Sequence, residues 1–228
     1  FMPCDEDLIL SSTGALDLQE LPETAAIVGG GYIGLELGCA LAKLGTKVTV
    51  IEGMDDVLAM MDKEIRRPLE IWLKKHGVKI YRNALARGAE RIESSGEGKI
   101  RLKYEMGGEN HSIDVDKILV TVGRKANLSG WGLEETGVRL GPDGRFIRTD
   151  RKCRTNIPGV YAIGDVSGEP MLAHKASAEG EMVAEIISGL EREFDNVAIP
   201  AIVFTEPEIV SVGLDPDSAR ERGEDIIT

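Results

Sequence analysis

Two periods of apolar residues alternate along this 228-residue chain. Short apolar runs bounded by Gly, Pro or charged residues mark strands, and apolar positions three or four apart mark helices. Residues 7–14 read as a strand ending in a turn, followed by a connector that reaches Pro22. Residues 25–29 form the next strand. Ile33, Leu37, Leu41 and Leu44 then recur at helical spacing across 31–44, and Gly45 is placed to end that helix as its C-terminal glycine. A strand at 47–52, a helix at about 62–76 with Ile65, Leu69, Trp72 and Leu73 on one face, and a strand at 78–81 complete a βαβαβ unit. An antiparallel portion follows, with strands near 89–93, 99–105 and 111–115 separated by the turns Ser95-Gly96-Glu97-Gly98 and Gly107-Gly108. Residues 117–122 return as an apolar strand into Gly123-Arg124.

The pattern changes after Leu140. Gly141-Pro142-Asp143-Gly144 is a turn. Strands are predicted near 145–149 and at 159–163, the second running into Gly164-Asp165. A long helix over about 172–189 carries Val183, Ile186, Ile187 and Leu190 on one face. Residues 199–212 resemble strands, and Asp215-Pro216 is a cap-and-proline start to a short last helix ending at Gly223. The fold class these patterns predict is α/β: a Rossmann-like βαβαβ unit plus an antiparallel meander, flanked by segments of different character.

Candidate chemistry begins at the first strand–helix junction. Ile27-Val28-Gly29-Gly30-Gly31-Tyr32-Ile33-Gly34 places Gly-x-Gly-x-x-Gly between an apolar strand and a helix, and Glu52 closes the next strand 18 residues beyond Gly34. Gly29 allows a tight turn, Gly31 lets the backbone approach a pyrophosphate, and Gly34 lets the helix sit close on the strand. The anion would meet free amide N–H groups at the positive end of the helix. The Glu52 carboxylate would accept hydrogen bonds from the 2′- and 3′-hydroxyls of the adenosine ribose, contributing about 1.5–3 kcal/mol each. A 2′-phosphate would meet a like charge, at about 1–4 kcal/mol per pair. The adjoining Gly53-Met54-Asp55-Asp56 supplies no arginine to offset it. NAD is therefore expected rather than NADP.

With 42% hydrophobic residues and a net charge of −12, the chain is globular and acidic. Without clustered Lys and Arg it has no nucleic-acid surface. No apolar run approaches a membrane span, and Phe1-Met2-Pro3-Cys4-Asp5-Glu6 lacks the regions of a signal peptide, so the expected location is cytoplasmic. Cys4, Cys39 and Cys153 lie far apart with no metal-type spacing, which fits a reducing compartment; no metal site is expected. Cys39, between Gly38 and Ala40, reads as a small packed thiol, and Cys4 and Cys153 read as spectators. His76 reads as a helix-end cap before Gly77, and His111 lies in a polar hairpin-like stretch.

Val160-Tyr161-Ala162-Ile163-Gly164-Asp165 again delivers an acid to the end of a strand, beside a glycine that permits close approach. Such a carboxylate can hold a sugar-like diol or the polyol of a flavin; Gly-Asp is equally an ordinary turn. Taken with Leu10-Ser11-Ser12-Thr13-Gly14-Ala15-Leu16, residues 27–38, Val120-Thr121-Val122-Gly123-Arg124, Pro170-Met171-Leu172-Ala173-His174-Lys175 and residues 204–213, the chain resembles the pyridine nucleotide–disulfide oxidoreductases over nearly all its length. Met171-Leu172-Ala173-His174 is more similar to the branch that oxidises dihydrolipoyl groups than to glutathione or mercuric reductases, and Glu52 points away from NADP-using members.

That resemblance implies roles residue by residue. Gly29, Gly30, Gly31, Tyr32, Ile33 and Gly34, with Glu52, would hold NAD, Leu85 would lie near the adenine, and Gly123 and Arg124 beside the nicotinamide half. Tyr32 would gate the nicotinamide pocket, and Glu36 would pair with a lysine of a flavin domain or else stay a solvated helix carboxylate. Gly164 and Asp165 would bind the ribityl or phosphate part of FAD, and Met171, Leu172, Ala173 and His174 would contact the flavin through backbone groups at a helix start. The implied segments are 1–22 (strand and connector of an FAD-binding domain), 23–140 (NAD-binding domain), 141–192 (returning part of the FAD-binding domain) and 193–228 (start of an α/β dimerisation domain).

The family's Cys-x4-Cys pair and first FAD glycine motif are expected upstream of residue 1, and its catalytic His and Glu downstream of residue 228. Dithiol oxidation needs a thiolate and a base. No catalytic residue is therefore expected within this chain, and the chain alone is expected to be inactive towards dihydrolipoamide, retaining FAD only with the rest of that domain. The full-length parent would oxidise dihydrolipoamide to lipoamide and reduce NAD through FAD. Its expected partners are NAD(H), the dihydrolipoyl domain of a 2-oxoacid dehydrogenase complex, and a second copy of itself. Two other readings stand beside this one: a related disulfide or mercuric reductase, and a stand-alone NAD-binding module. The module predicts self-contained ends, whereas Leu8-Ile9-Leu10 and Ile202-Val203-Phe204 are apolar strands that need partners.

Overall fold

A computed structural model describes residues 2–92 and 98–225. They form two compact units, one of the residues up to Val122 and from Pro200 onward, the other Gly123–Ile199. The chain passes from one to the other at 122/123 and 199/200.

The first unit runs β1 (Ile9–Leu10), α1 (Ser12–Leu16), β2 (Thr24–Val28), α2 (Tyr32–Leu44), β3 (Lys47–Ile51), α3 (Lys63–Lys75), β4 (Lys79–Tyr81), β5 (Ala84–Ile92), β6 (Lys99–Met106), β7 (Glu109–Val115) and β8 (Lys117–Val120). Strands β1-β8-β2-β3-β4 form a parallel sheet in that order, and β5-β6-β7 form an antiparallel sheet. Strand alternation divides the core between the faces of the parallel sheet. Ala25, Ile27, Val48, Val50 and Leu119 join one cluster with Leu35, Cys39, Leu69 and Leu73 of the helices. Ala26, Val28, Ile51 and Ile118 join the other, with Ile100, Leu102 and Val115 of the meander. A sheet covered on both faces explains why its strands read as continuous apolar runs.

Several expectations need correction. The strand expected over 7–14 is confined to Ile9–Leu10, because Ser11 Oγ accepts the N–H groups of Thr13 and Gly14 and starts α1 where a turn was expected. β1 pairs in parallel with β8, and Leu8 and Leu10 are buried. The strand expected near 89–93 begins at Ala84; a bulge between Ala86 and Gly88 shifts the register and hides the two-residue period. Of the turn 95–98, residues 95–97 lie outside the described residues. Gly107 (φ +61°) and Gly108 (φ +81°) make the other hairpin turn, where two left-handed residues match the twist of the strands.

After Pro200 the first unit resumes with an antiparallel hairpin, Ala201–Val203 with Ile209–Ser211, and a helix Pro216–Glu221 capped by Asp215. Val203 and Ile209 enter the helix-side core, so this hairpin is partnered within the unit.

The second unit holds little regular structure beyond the helix Ala173–Ile187, which is α4; the hairpin strands after it are β9 and β10, and the last helix α5. Strands were expected near 145–149 and at 159–163. Only isolated bridges form, Leu140 with Ile147 and Arg154 with Tyr161. Side chains compete with a ladder there: Asp150 Oδ1 accepts the N–H of Lys152 and of Arg154, and Thr155 Oγ1 donates to Val160 O. The buried side of α4 is Lys175, Glu179, Met182 and Val183, whereas Ile187 and Leu190 of the expected apolar face are mostly exposed.

Candidate functional site

The glycine turn joins β2 to α2, and each glycine meets a different steric demand. Gly29 has φ +106°, the left-handed region where a side chain is strained, and an added Cβ would strike Val122 Cγ1 at 2.7 Å. Thr121 Oγ1 pins the turn by donating to Val28 O (3.1 Å) and Gly29 O (3.0 Å). A Cβ on Gly34 would lie 2.2 Å from Gly29 O and 2.6 Å from Thr121 Oγ1, so the helix rests directly on the turn. Gly31 differs: it is exposed, and a Cβ there would meet nothing within 4 Å. It is also the N-cap of α2, with no side chain on the helix's first N–H groups. Open space over uncapped amides suits an anion.

Glu52 stands at the end of β3 with its carboxylate turned to this junction. Oε2 accepts Gly30 N–H at 2.5 Å and Oε1 accepts Met54 N–H at 2.6 Å. Glu52 separates two clefts. One, of about 450 Å³, is lined by Gly30, Gly31, Asp56, Leu58 and Met60; the other, of about 550 Å³, by Val28, Gly53, Leu85, Arg87 and Val122. Met54 reaches both. Gly29, Gly30, Gly31, Gly34, Glu52 and Leu85 are therefore assembled in one place. Tyr32 and Ile33 are half-buried in the first turn of α2, Tyr32 against the helix-side core. Glu36 accepts Phe204 N–H at 2.8 Å, fastening the hairpin of β9 and β10. A larger cleft of about 870 Å³, among Glu6, Asp17, Glu20, Arg91 and Lys117, contains none of the expected residues.

The remaining expected residues belong to the second unit. Gly123 (φ +75°) and Arg124 are exposed, and Arg124 Nη1 lies 3.2 Å from Asp165 Oδ2. Two residues expected to hold different cofactors are thus an ion pair. Gly164 and Asp165 form one 3-10 turn, Gly164–Val166. Met171 and Leu172 are half-buried and Ala173 and His174 exposed, at a start of α4 that no side chain caps.

Sequence reasoning missed what holds that turn. Lys175 and Glu179, one turn apart on α4, are an almost fully buried ion pair at 3.2 Å. Between them they grip Gly164: Glu179 Oε2 accepts its N–H at 2.6 Å, and Lys175 Nζ donates to its carbonyl at 3.3 Å and to Gly168 O at 3.0 Å. The available signal was two charged residues at i and i+4 directly after the 171–174 block.

The cysteines are poor nucleophiles. Burial pushes both the Cys39 and the Cys153 thiols up to about 11, with the Glu179 charge adding to the effect at Cys153. Cys4 is exposed, and its thiol too is raised, by partial burial and by Glu6 and Asp5. His76 Nδ1 lies 2.9 Å from Trp72 O, and its ring stacks on Trp72 at the end of α3. His111 stacks on Tyr104. Among the described residues no cluster of His, Cys, Asp or Glu suits a metal, and no helix is long and apolar enough to cross a membrane.

A parallel βαβ sheet with a three-glycine turn and an acid closing the next strand has the Rossmann-type architecture of dinucleotide-binding proteins. The chain belongs to the pyridine nucleotide-disulphide oxidoreductase family, whose pattern matches residues 4–180. Its curated relatives include the dihydrolipoyl dehydrogenases of Geobacillus stearothermophilus, 47% identical over 96% of this chain, and of Pseudomonas aeruginosa, 44% identical over 96%. It spans about half the length of these relatives, 46% and 45%. Among solved structures it is similar to LpdA from Mycobacterium tuberculosis (TM-score 0.82, 32% identity, 96% of this chain and 46% of that one). It is also similar to the HOCl-induced flavoprotein disulfide reductase RclA from Escherichia coli (TM-score 0.85, 27% identity, 98% and 50%).

Proposed function

We propose that the first unit binds NAD(H) at the glycine turn and Glu52, within a flavoprotein that oxidises dihydrolipoamide to lipoamide. One observation carries this reading: the Glu52 carboxylate is held by the N–H groups of Gly30 and Met54 beside the open, uncapped amides at Gly31. Those amides would hold the pyrophosphate, Glu52 the ribose hydroxyls, and Leu85, half exposed over its cleft, the adenine. Dinucleotide binding would therefore form bonds at Glu52 without the carboxylate having to be repositioned.

FAD is the second cofactor of this reading. Asp165, in its single turn, would accept from the ribityl hydroxyls, and the uncapped start of α4 would offer amides to the flavin. Asp165 would then exchange part of its contact with Arg124 for the ligand, and the Lys175–Glu179 grip would keep its turn in place. When both cofactors are bound, they supply the hydride chemistry, and the chain supplies orientation and charge. The identity to dihydrolipoyl dehydrogenases favours the dithiol dihydrolipoamide over a disulfide or mercuric ion as the parent's substrate.

Calorimetric titration of the chain with NADH and with FAD tests the reading. The expected results are micromolar NADH binding, no stable FAD binding by these residues alone, and about tenfold or greater weakening of NADH binding in Glu52→Ala, the loss of one charge-assisted hydrogen bond or more. NADH binding that ignores Glu52→Ala would overturn the ribose assignment.

A further inference from the structure

The 450 Å³ cleft beside Gly31 presents a second carboxylate, Asp56, alongside Glu52. Both oxygens of Asp56 are engaged by arginines that are distant in sequence. Arg82, just past β4, brings Nε to 2.7 Å from Oδ1, and Arg66 of α3 brings Nη1 to 2.9 Å from Oδ2. Arg82 is further committed to Glu70 Oε2 at 3.1 Å. Arg66 is buried, donates also to Val57 O at 2.6 Å, and leaves its Nε without a hydrogen-bond partner. In the neighbouring cleft, Arg87 gives both Nε and Nη2 to Glu105 Oε2. Arg66 and Arg82 thus stand behind Asp56, which itself lines the cleft, and each of the three arginines is already held by a carboxylate.

We propose that Asp56 is a specificity-determining residue for NAD over NADP, acting by keeping Arg66 and Arg82 occupied so that a 2′-phosphate meets two carboxylates and no available guanidinium. This rests on the dinucleotide reading of the cleft. A phosphate needs a guanidinium that can turn its fork outward, and Arg–phosphate pairing is bidentate and directional. Arg82 could turn: it is only partly buried, whereas Arg66 is enclosed. Asp56 is well suited to hold both. Burial alone would raise its carboxyl, but the hydrogen bond from Arg82, the Val57 N–H and the Arg66 charge outweigh that and keep it below the usual carboxylate range.

The experiment compares binding of ADP-ribose and 2′-phospho-ADP-ribose to the wild-type chain and to Asp56→Asn, which keeps the side-chain volume and one acceptor. The discrimination against the 2′-phosphate is expected to fall by about tenfold, the size of one charge pair at contact distance in a partly screened site. Adding Arg82→Gln to Asp56→Asn should restore the discrimination. A purely bracing Asp56 would weaken both ligands alike and leave their ratio unchanged, which would overturn the proposal. If Asp56→Asn does not fold because Arg66 is left buried without its counter-charge, Asp56→Asn combined with Arg66→Met, which frees Arg82 without a buried unpaired charge, decides: discrimination should again fall severalfold, and an unchanged ratio overturns the proposal. Failure of the wild-type chain to bind ADP-ribose, or indifference to Glu52→Ala, would instead overturn the dinucleotide reading itself.

Discussion

Gly31 and Gly34 are the same residue type in the same turn, yet the surroundings of their missing Cβ atoms are opposite. Gly34→Ala would drive a methyl into Gly29 O and Thr121 Oγ1, and overpacking of that kind costs about 1–3 kcal/mol. Gly31→Ala meets no atom within 4 Å and should cost no more than about 1 kcal/mol, the loss of a glycine N-cap. Urea melts should show the first variant clearly destabilised and the second nearly wild-type, while calorimetry shows NADH binding weakened in the second. Comparable destabilisation in both would contradict the distinction. These roles were legible in the sequence because a Gly-x-Gly-x-x-Gly turn places its demands at fixed local offsets. Glu52 was legible for the same reason, as the acid at the end of the next strand. Asp56 was not: its meaning depends on Arg66 and Arg82, which lie 10 and 26 residues further along the chain.

At the scale of elements, α4 shows where periodicity misleads. Val183, Ile186, Ile187 and Leu190 suggested an apolar face, but the helix turns Lys175 and Glu179 inward beside Met182 and Val183. Its position follows from gripping the Gly164 peptide as well as from apolar burial. Removing one member of a buried pair strands the other, so Lys175→Ala should cost about 3–5 kcal/mol, while Arg101→Ala, from the exposed and solvent-screened pair with Asp114, should leave the denaturation midpoint close to wild-type. Chemical denaturation of the two variants checks this, and equal losses would mean that the Lys175–Glu179 pair is not a structural clamp. The strands expected near 145–149 and 159–163 failed for a related reason. Their β-forming residues are present, but side chains of Asp150 and Thr155 satisfy the backbone locally, and no neighbouring ladder recruits them. By contrast β2, β3 and β8 were visible as apolar runs because each is buried on both faces.

Across the whole molecule, the first unit has two extensive cores on the faces of one sheet, whereas the second has two small clusters, around Leu133, Ile147 and Ala162 and around Cys153, Met182 and Val183. Opening free energy follows buried apolar contact and laddered hydrogen bonds. Hydrogen exchange should therefore be slowest in β2, β3 and β8 and faster over 139–162; uniform protection would contradict this ordering. The sequence by itself determined the βαβαβ order, the glycine turn, Glu52 and the family, since all of these are written in local spacing and short-range periodicity. Only the tertiary structure decided that β1 joins β8, that Glu36 fastens Phe204, that Arg124 meets Asp165, and that Asp56 occupies two arginines. Pairings of this kind depend on which surfaces the packed core brings together, and a side chain's charge and type do not reveal its distant partner.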